Sequence, residues 1–368
     1  MSVLKALTTL VLSFGLIFTA TASTTAPTPD HFAPYAAPHG RARPVVAVVG
    51  HNAGTELTDF VIPYAVLQRS GAVDAFTVSL QPGAMQMRPA LRLQADTDVR
   101  GFDARFPDGA DYVVVPAVVR RDDAQLLAWI RAQHAKGATI VSICDGALVV
   151  ANAGLLAGHR ATAHWATESH RREHYPQTTW VANTRYVVDG RLASSAGISA
   201  AIPTALALLE SIAGHDAALQ VGAGFGVRDW STTHDSDAFK PGAGNLWPLL
   251  KLNATNKWFH PTERLALPLT PGMDDVALAL TADAFSRTGR STAYGVAATP
   301  QVRGGSGLVW LPDSAQPADT KHRIDVIATG AALPLFDAVL AAVEHRYGRT
   351  TARGVAIDFE YAWSPAAR

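Results

Sequence analysis

The stretch "GATIVSICDGALVVANAGLLAGHRATAHW", residues 137–165, decides how this chain folds. Its opening, ATIVSIC (138–144), is a short apolar run of the kind buried on both faces of a parallel sheet. The next residues, DGALVVANAGLLAG (145–158), have the alanine content and spacing of a helix. Cys144 sits at the joint and is the only cysteine in 368 residues. Alone it has no intrachain disulfide partner, which leaves a buried filler, an intermolecular link or a reactive thiol. A sharp strand-to-helix turn can present one side chain above a sheet, and a helix N-terminus favours a thiolate there. Gly146 lets the backbone pack closely beside it. These residues predict a nucleophile elbow at the carboxyl end of a parallel strand, where open α/β sheets hold their ligands.

Upstream, strand-like runs VVAVVG (45–50), AFTVSLQ (75–81), ALRLQAD (90–96) and DYVVVPA (111–117) alternate with helical patterns. Those helices are TDFVIPYAVLQRSG (58–71) and DDAQLLAWIRAQHAKG (122–137), the second with an acidic start and a glycine stop. Downstream, YVVDGRLASSAGIS leads into the helix AAIPTALALLESIAG (200–214). The alternation predicts an α/β fold with a mostly parallel sheet and helices on both faces.

A Gly-, Pro- and Trp-rich stretch at 239–261 reads as a linker to a smaller C-terminal α/β segment, 262–368, which looks like a degenerate partial repeat of the first. DDVALALTADAFSRTG (274–289) parallels the first helix, setting Asp275 against Asp59, and GLVWLPD (307–313) parallels ALRLQAD. The segment before Gly348 parallels the one before Gly214, and FEYAW (359–363) parallels GVRDW (226–230). The middle, with its cysteine, has no counterpart.

At the N-terminus, Lys5, an apolar run and the pattern Ala20-Thr21-Ala22 have the layout of a secretory signal covering residues 1–22, with a Pro/Ala/Thr-rich linker after it at 23–43. The expectation is export to the periplasm or outside, with no stable span after cleavage; an uncleaved anchor is the alternative. The remaining composition is that of a globular chain, 48% apolar and 17% charged with mean hydropathy +0.10. Lys+Arg and Asp+Glu both total 31, so no global field draws it to nucleic acid or to an anionic membrane.

Taken in order, TDFVIPYAVL, SICDGALVVANAGLLAGHRATAHW and SAGISAAIPTALALLESIAG resemble the ThiJ/PfpI superfamily over about residues 45 to 238. Within it, they are most similar to the branch of isocyanide hydratases and the sensor domains of AraC-type regulators. The resemblance implies a flavodoxin-like three-layer sandwich for 44–238, with Cys144 as nucleophile and Asp59 hydrogen-bonded to its sulfur. It implies a hydratase or lyase acting on a small electrophile, isocyanide- or aldehyde-like, without a cofactor; a non-catalytic ligand-binding or oxidation-sensing protein is the alternative. Asp145 stands where such hydratases carry Thr and the peptidase-like branch carries His. The family's PGG loop reads PAVV (116–119) here, which makes Ala117 and Val118, with Asp145, Gly146, His164 and Trp165, the candidate pocket residues.

Other motifs carry less. HWATESHRREHY (164–175) has three histidines but no HExxH, and reads as a solvated, charged helix, so no metal site is expected. His234, Asp235 and Asp237 read as a capping turn, and RGGSG (303–307) as a hairpin turn. Residues 265–368 are not notably basic and contain strand-like runs, which disfavours a DNA-binding helix-turn-helix. The partners expected are a small-molecule substrate or ligand, no nucleic acid, and either a second copy in a homodimer or the chain's own C-terminal segment in an intrachain pseudo-dimer.

Overall fold

The computed structural model describes residues 30–316, 320–327 and 334–364. The expected signal segment lies outside the described residues. Among those described, no helix is long and apolar enough to cross a membrane.

The central sheet has seven strands, in the order Tyr186–Asp189, Leu192–Ser195, Thr139–Ser142, Tyr112–Val115, Val45–Gly50, Asp74–Ser79 and Thr97–Asp98. Every neighbouring pair is parallel except the hairpin at the Tyr186 edge. The three innermost strands are almost wholly buried, which explains their continuous β-branched sequences. Two apolar clusters, one on each face of the sheet, complete a three-layer α/β sandwich. Helices Leu57–Arg69 and Ala201–Ala213 pack together on one face; Ala124–Ala135 and Gly146–Asn152 cover the other. Asp123 caps the helix Ala124–Ala135 through two backbone N–H groups, as its acidic start predicts.

The C-terminal α/β segment repeats part of this plan. Strands Glu263–Pro268 and Ser291–Val296 are parallel, with Glu263 opposite Ser291 as Val45 is opposite Asp74. The helices Leu57–Arg69 and Asp275–Arg287 each have 13 residues and pack on one another. Helices Ala201–Ala213 and Leu335–Tyr347 each run through a left-handed glycine, Gly214 or Gly348, into a second helix. Two hairpins, one from each half, meet in a small five-stranded sheet, where Leu93 lies directly opposite Trp310. The RGGSG turn connects its last two strands, Val302–Arg303 and Val309–Trp310, as expected.

Three readings need correction. Asp275 is the first residue of its helix whereas Asp59 is the third of the helix that parallels it, so the two carboxyls do not occupy equivalent positions. The segment 239–261 is not an open linker: residues 246–259 are helical, because Pro248, Leu252 and Asn256 recur every four residues on a buried face. Residues 30–43 likewise are not free. Phe32 is buried, Tyr35 N–H donates to Ser211 O at 3.0 Å, and Arg41 pairs with buried Asp111 at 2.9 Å.

Candidate functional site

Cys144 lies between the strand Thr139–Ser142 and the helix Gly146–Asn152, with φ +54°. That left-handed backbone is costly for a residue with a Cβ and makes the turn sharp. The turn is held from below: Cys144 N–H donates to Ser195 Oγ at 3.2 Å, and Ile143 N–H to Val115 O at 3.0 Å. Gly146 is required, since a Cβ there would lie 2.0 Å from Val115 O. The elbow expected from the sequence is therefore present, with Ser195, a residue without the G-x-S-x-G frame of a serine nucleophile, beneath it as a support.

Asp59 is fully buried in the first turn of the helix Leu57–Arg69. Its Oδ2 accepts from Ala117 N–H at 3.2 Å; its Oδ1 is buried with no hydrogen-bond partner. Ala117 O in turn accepts from Glu56 N–H at 2.8 Å, so the PAVV loop clamps the helix start, and the Ala117 N–H is already committed to Asp59. Neighbouring Val118 forms an isolated bridge with Thr55. Burial pushes the Asp59 carboxyl well up, against the Ala117 hydrogen bond and the Arg287 charge, with Asp283 and Asp145 adding to the rise.

The thiol is also pushed well up, by burial first and then by the charges of Asp59, Asp145, Glu56 and Glu360. This reverses the expected direction. The helix that begins after Cys144 has only seven residues, and its contribution is outweighed by low exposure, 8%, within a ring of carboxyls.

Asp145 Oδ1 accepts from Thr167 Oγ1 at 2.7 Å, and Thr167 Oγ1 accepts from Arg171 Nη1 at 2.7 Å. Arg171 belongs to the helix Glu168–His174 within the HWATESHRREHY segment and is buried over the Trp180 ring, its centroid 5.0 Å away. This helix is thus not wholly solvated. Arg171 Nε is buried without a partner, and the charges of Asp145, Glu168 and Glu360 act on the guanidinium. Nothing in a charge run distinguishes the one arginine that turns inward.

His164 and Trp165 bind the C-terminal segment. His164 Nε2 meets Asp358 O at 2.9 Å while its Nδ1 accepts from Ala166 N–H at 3.3 Å, so both ring nitrogens are engaged. Trp165 N–H donates to Glu360 Oε1 at 2.7 Å and its indole N–H to Ile357 O at 3.2 Å. Glu360 Oε2 meets His234 Nε2 at 2.7 Å, so the predicted capping turn, in which Asp235 accepts from Asp237 N–H, also supplies a hydrogen bond to the C-terminal segment. On the other flank Arg287 pairs with Glu56, with Asp283 at 2.5 Å and with Asp358 at 2.6 Å. Both halves of the chain therefore furnish charges around the cysteine.

A cavity of about 480 Å3 lies beside this seam, lined by Phe225, Phe239, Phe336, His234 and Glu360 among others, and does not include Cys144. Among the described residues no group of three or more His, Cys, Asp or Glu is placed to hold a metal ion.

Residues 45–211 match the DJ-1/PfpI family. The chain is 40% identical over 98 residues to an isonitrile hydratase of Pseudomonas putida, a match covering 26% of this chain and 41% of that protein. It is 38% identical over 96 residues to the HTH-type transcriptional regulator CdhR of Pseudomonas aeruginosa, covering 26% and 28% respectively. The chain thus spans less than half the length of either curated relative. Among solved structures it is similar to Drosophila melanogaster DJ-1beta, at 24% identity and a TM-score of 0.46, over 50% of this chain and 98% of that one. Over residues 45–211, then, this chain is similar to the DJ-1/PfpI family.

Proposed function

We propose that this chain is an exported, cysteine-dependent hydratase or lyase for a small neutral electrophile of isonitrile type, with Cys144 as nucleophile and Asp59 as its acid partner. The observation that carries the reading is the Asp59 oxygen, buried without a partner, whose carboxyl acts on the thiol. Buried polar atoms are rarely left unpaired, and such an atom is a place for a substrate, water or transferred proton. The raised Asp59 carboxyl is suited to donate. Arg171, whose Nε is also unpaired, reaches Asp145 through Thr167 and is a second buried donor on that side of the cysteine. The similarity to an isonitrile hydratase supports the substrate class. The N-terminal apolar run with Ala20-Thr21-Ala22 supports export.

A protonated thiol suits this chemistry. Its sulfur bonds to the terminal carbon of R–NC, and its proton passes to that carbon, giving R–N=CH–S–Cys. Water adds to the same carbon, the C–S bond breaks, the proton returns to sulfur, and R–NH–CHO leaves. Asp59 relays protons in both steps.

The test is incubation with small alkyl and aryl isonitriles, tracking N-formamide by mass spectrometry, with Cys144→Ser and Asp59→Asn in parallel. Turnover lost in both variants supports the reading. Saturable binding without turnover shifts the role to ligand binding; neither turnover nor binding overturns both.

A further inference from the structure

The helical segment 246–259 carries the most exposed large apolar side chains among the described residues. Trp258 is 78% exposed, Phe259 74%, Leu246 61%, Trp247 58% and Leu250 47%. The opposite side, with Pro248, Leu252 and Asn256, is already buried, and Pro248 O and Leu252 pack against Gly354 of the helix Arg349–Asp358. The exposed side has no place left in the fold. Scattered exposed leucines are ordinary, but two tryptophans, a phenylalanine and two leucines in 14 residues form a patch that marks an interaction surface.

Charge selects the occupant. From Pro241 to Thr262 there is no Asp or Glu, and Lys251 and Lys257 form no ion pair among the described residues. A symmetric contact with a second copy would set these lysines against their own counterparts, with no carboxylate in the segment to pair them. A bilayer surface fits instead: indoles settle at the headgroup level, Phe and Leu reach the acyl boundary, and lysines meet anionic phosphates. We propose that residues 246–259 dock on the surface of an anionic phospholipid bilayer, inserting Trp247, Leu250, Trp258 and Phe259. This inference is independent of the chemistry at Cys144.

The test uses the full chain with vesicles of phosphatidylcholine and phosphatidylglycerol carrying brominated acyl chains, which quench inserted indoles. Tryptophan quenching should be strong in the unaltered protein and fall to the remainder in Trp247→Phe/Trp258→Phe, a comparison that reads these two rings rather than any other contact with lipid. Lys251→Glu/Lys257→Glu should weaken vesicle association roughly tenfold or more. Equal quenching with and without the two indoles overturns the proposal, as does no quenching at all. So does a dimer seen by light scattering that Phe259→Glu dissociates while vesicles leave the fluorescence unchanged.

Discussion

Glu360 stands in the C-terminal half where the first half has Gly226, one residue out of step with the sequence parallel of FEYAW and GVRDW, and both are left-handed, with φ +54° and +70°. The local hydrogen bonds agree: Gly226 N–H donates to Ala223 O and Glu360 N–H to Ile357 O, both at 3.1 Å, and Val227 and Tyr361 repeat the next bond. Glycine takes this conformation freely, whereas a glutamate in it is strained. The strained side chain is fully buried and bonds to His234, Ser236 and the Trp165 backbone. The C-terminal segment thus carries at this turn a carboxylate that its counterpart lacks, and directs it into the first domain.

Removing that carboxylate should be expensive. Glu360→Ala leaves His234 and the Trp165 N–H without their partner and should destabilise the protein by about 3–5 kcal/mol, with Glu360→Gln losing less. Burial raises the Glu360 pKa, but the His234 hydrogen bond, the His164 charge and the Trp165 N–H outweigh it and lower it overall. A depressed folded value means this stabilisation is present above the unfolded value of about 4.3 and is lost as the pH falls through the folded one. Urea denaturation at neutral pH and near pH 3 will read both effects; equal stability of Glu360→Ala and the unaltered protein at neutral pH would contradict them.

The thiol should behave as a weak acid. Iodoacetamide should label Cys144 slowly near neutral pH, with a rate still climbing beyond the ordinary thiol value of about 8.5. Asp145→Asn removes a neighbouring negative charge and should speed labelling at pH 8 roughly three- to tenfold. The raised folded value also means stability declines as the pH rises from about 8.5 through it. Fast labelling at pH 7 would show that the carboxyls around the sulfur do not control it.

Strain at the elbow can be measured by exchanging the cysteine itself. Cys144→Ala keeps the Cβ in the left-handed turn, whereas Cys144→Gly releases it. Despite the lost methyl, the glycine variant should match or exceed the alanine variant in stability, by up to about 1 kcal/mol. Thermal melts of the two, side by side, decide this.

Gly146→Ala should damage the same turn from the other side. Its Cβ would press on Val115 O, a backbone atom of a central strand that cannot withdraw. A loss of about 2–4 kcal/mol is expected, seen as a lower denaturation midpoint. An unchanged midpoint would mean that the strand and helix separate easily.

Much of this is legible in the residues. The runs VVAVVG, DYVVVPA and ATIVSIC are buried strands because only a two-sided apolar environment suits them, and the cysteine joint reads as an elbow from local order alone. The repeat is legible as far as helices and strands, but not to single positions, which is why Asp275 aligns with Asp59 in the sequence and not in the fold. The direction of the thiol shift is not legible. It depends on how many carboxyls converge around one buried sulfur, and Glu56, Asp59, Asp145 and Glu360 come from three separate parts of the chain.

By itself the sequence determined the alternation of strands and helices, the place of the elbow and the family likeness, because these rest on periodicity and on contacts between near neighbours. Tertiary structure alone decided that Arg171 turns inward, that segment 246–259 is a helix with an apolar outer face, and that His164 and Trp165 grip the C-terminal turn. Trp165 and Glu360 are 195 residues apart, and no local pattern encodes such a bond. It forms because two halves with matching strands and helices pack so that Leu93 meets Trp310, and that packing carries a strained carboxylate to the cysteine's edge of the sheet.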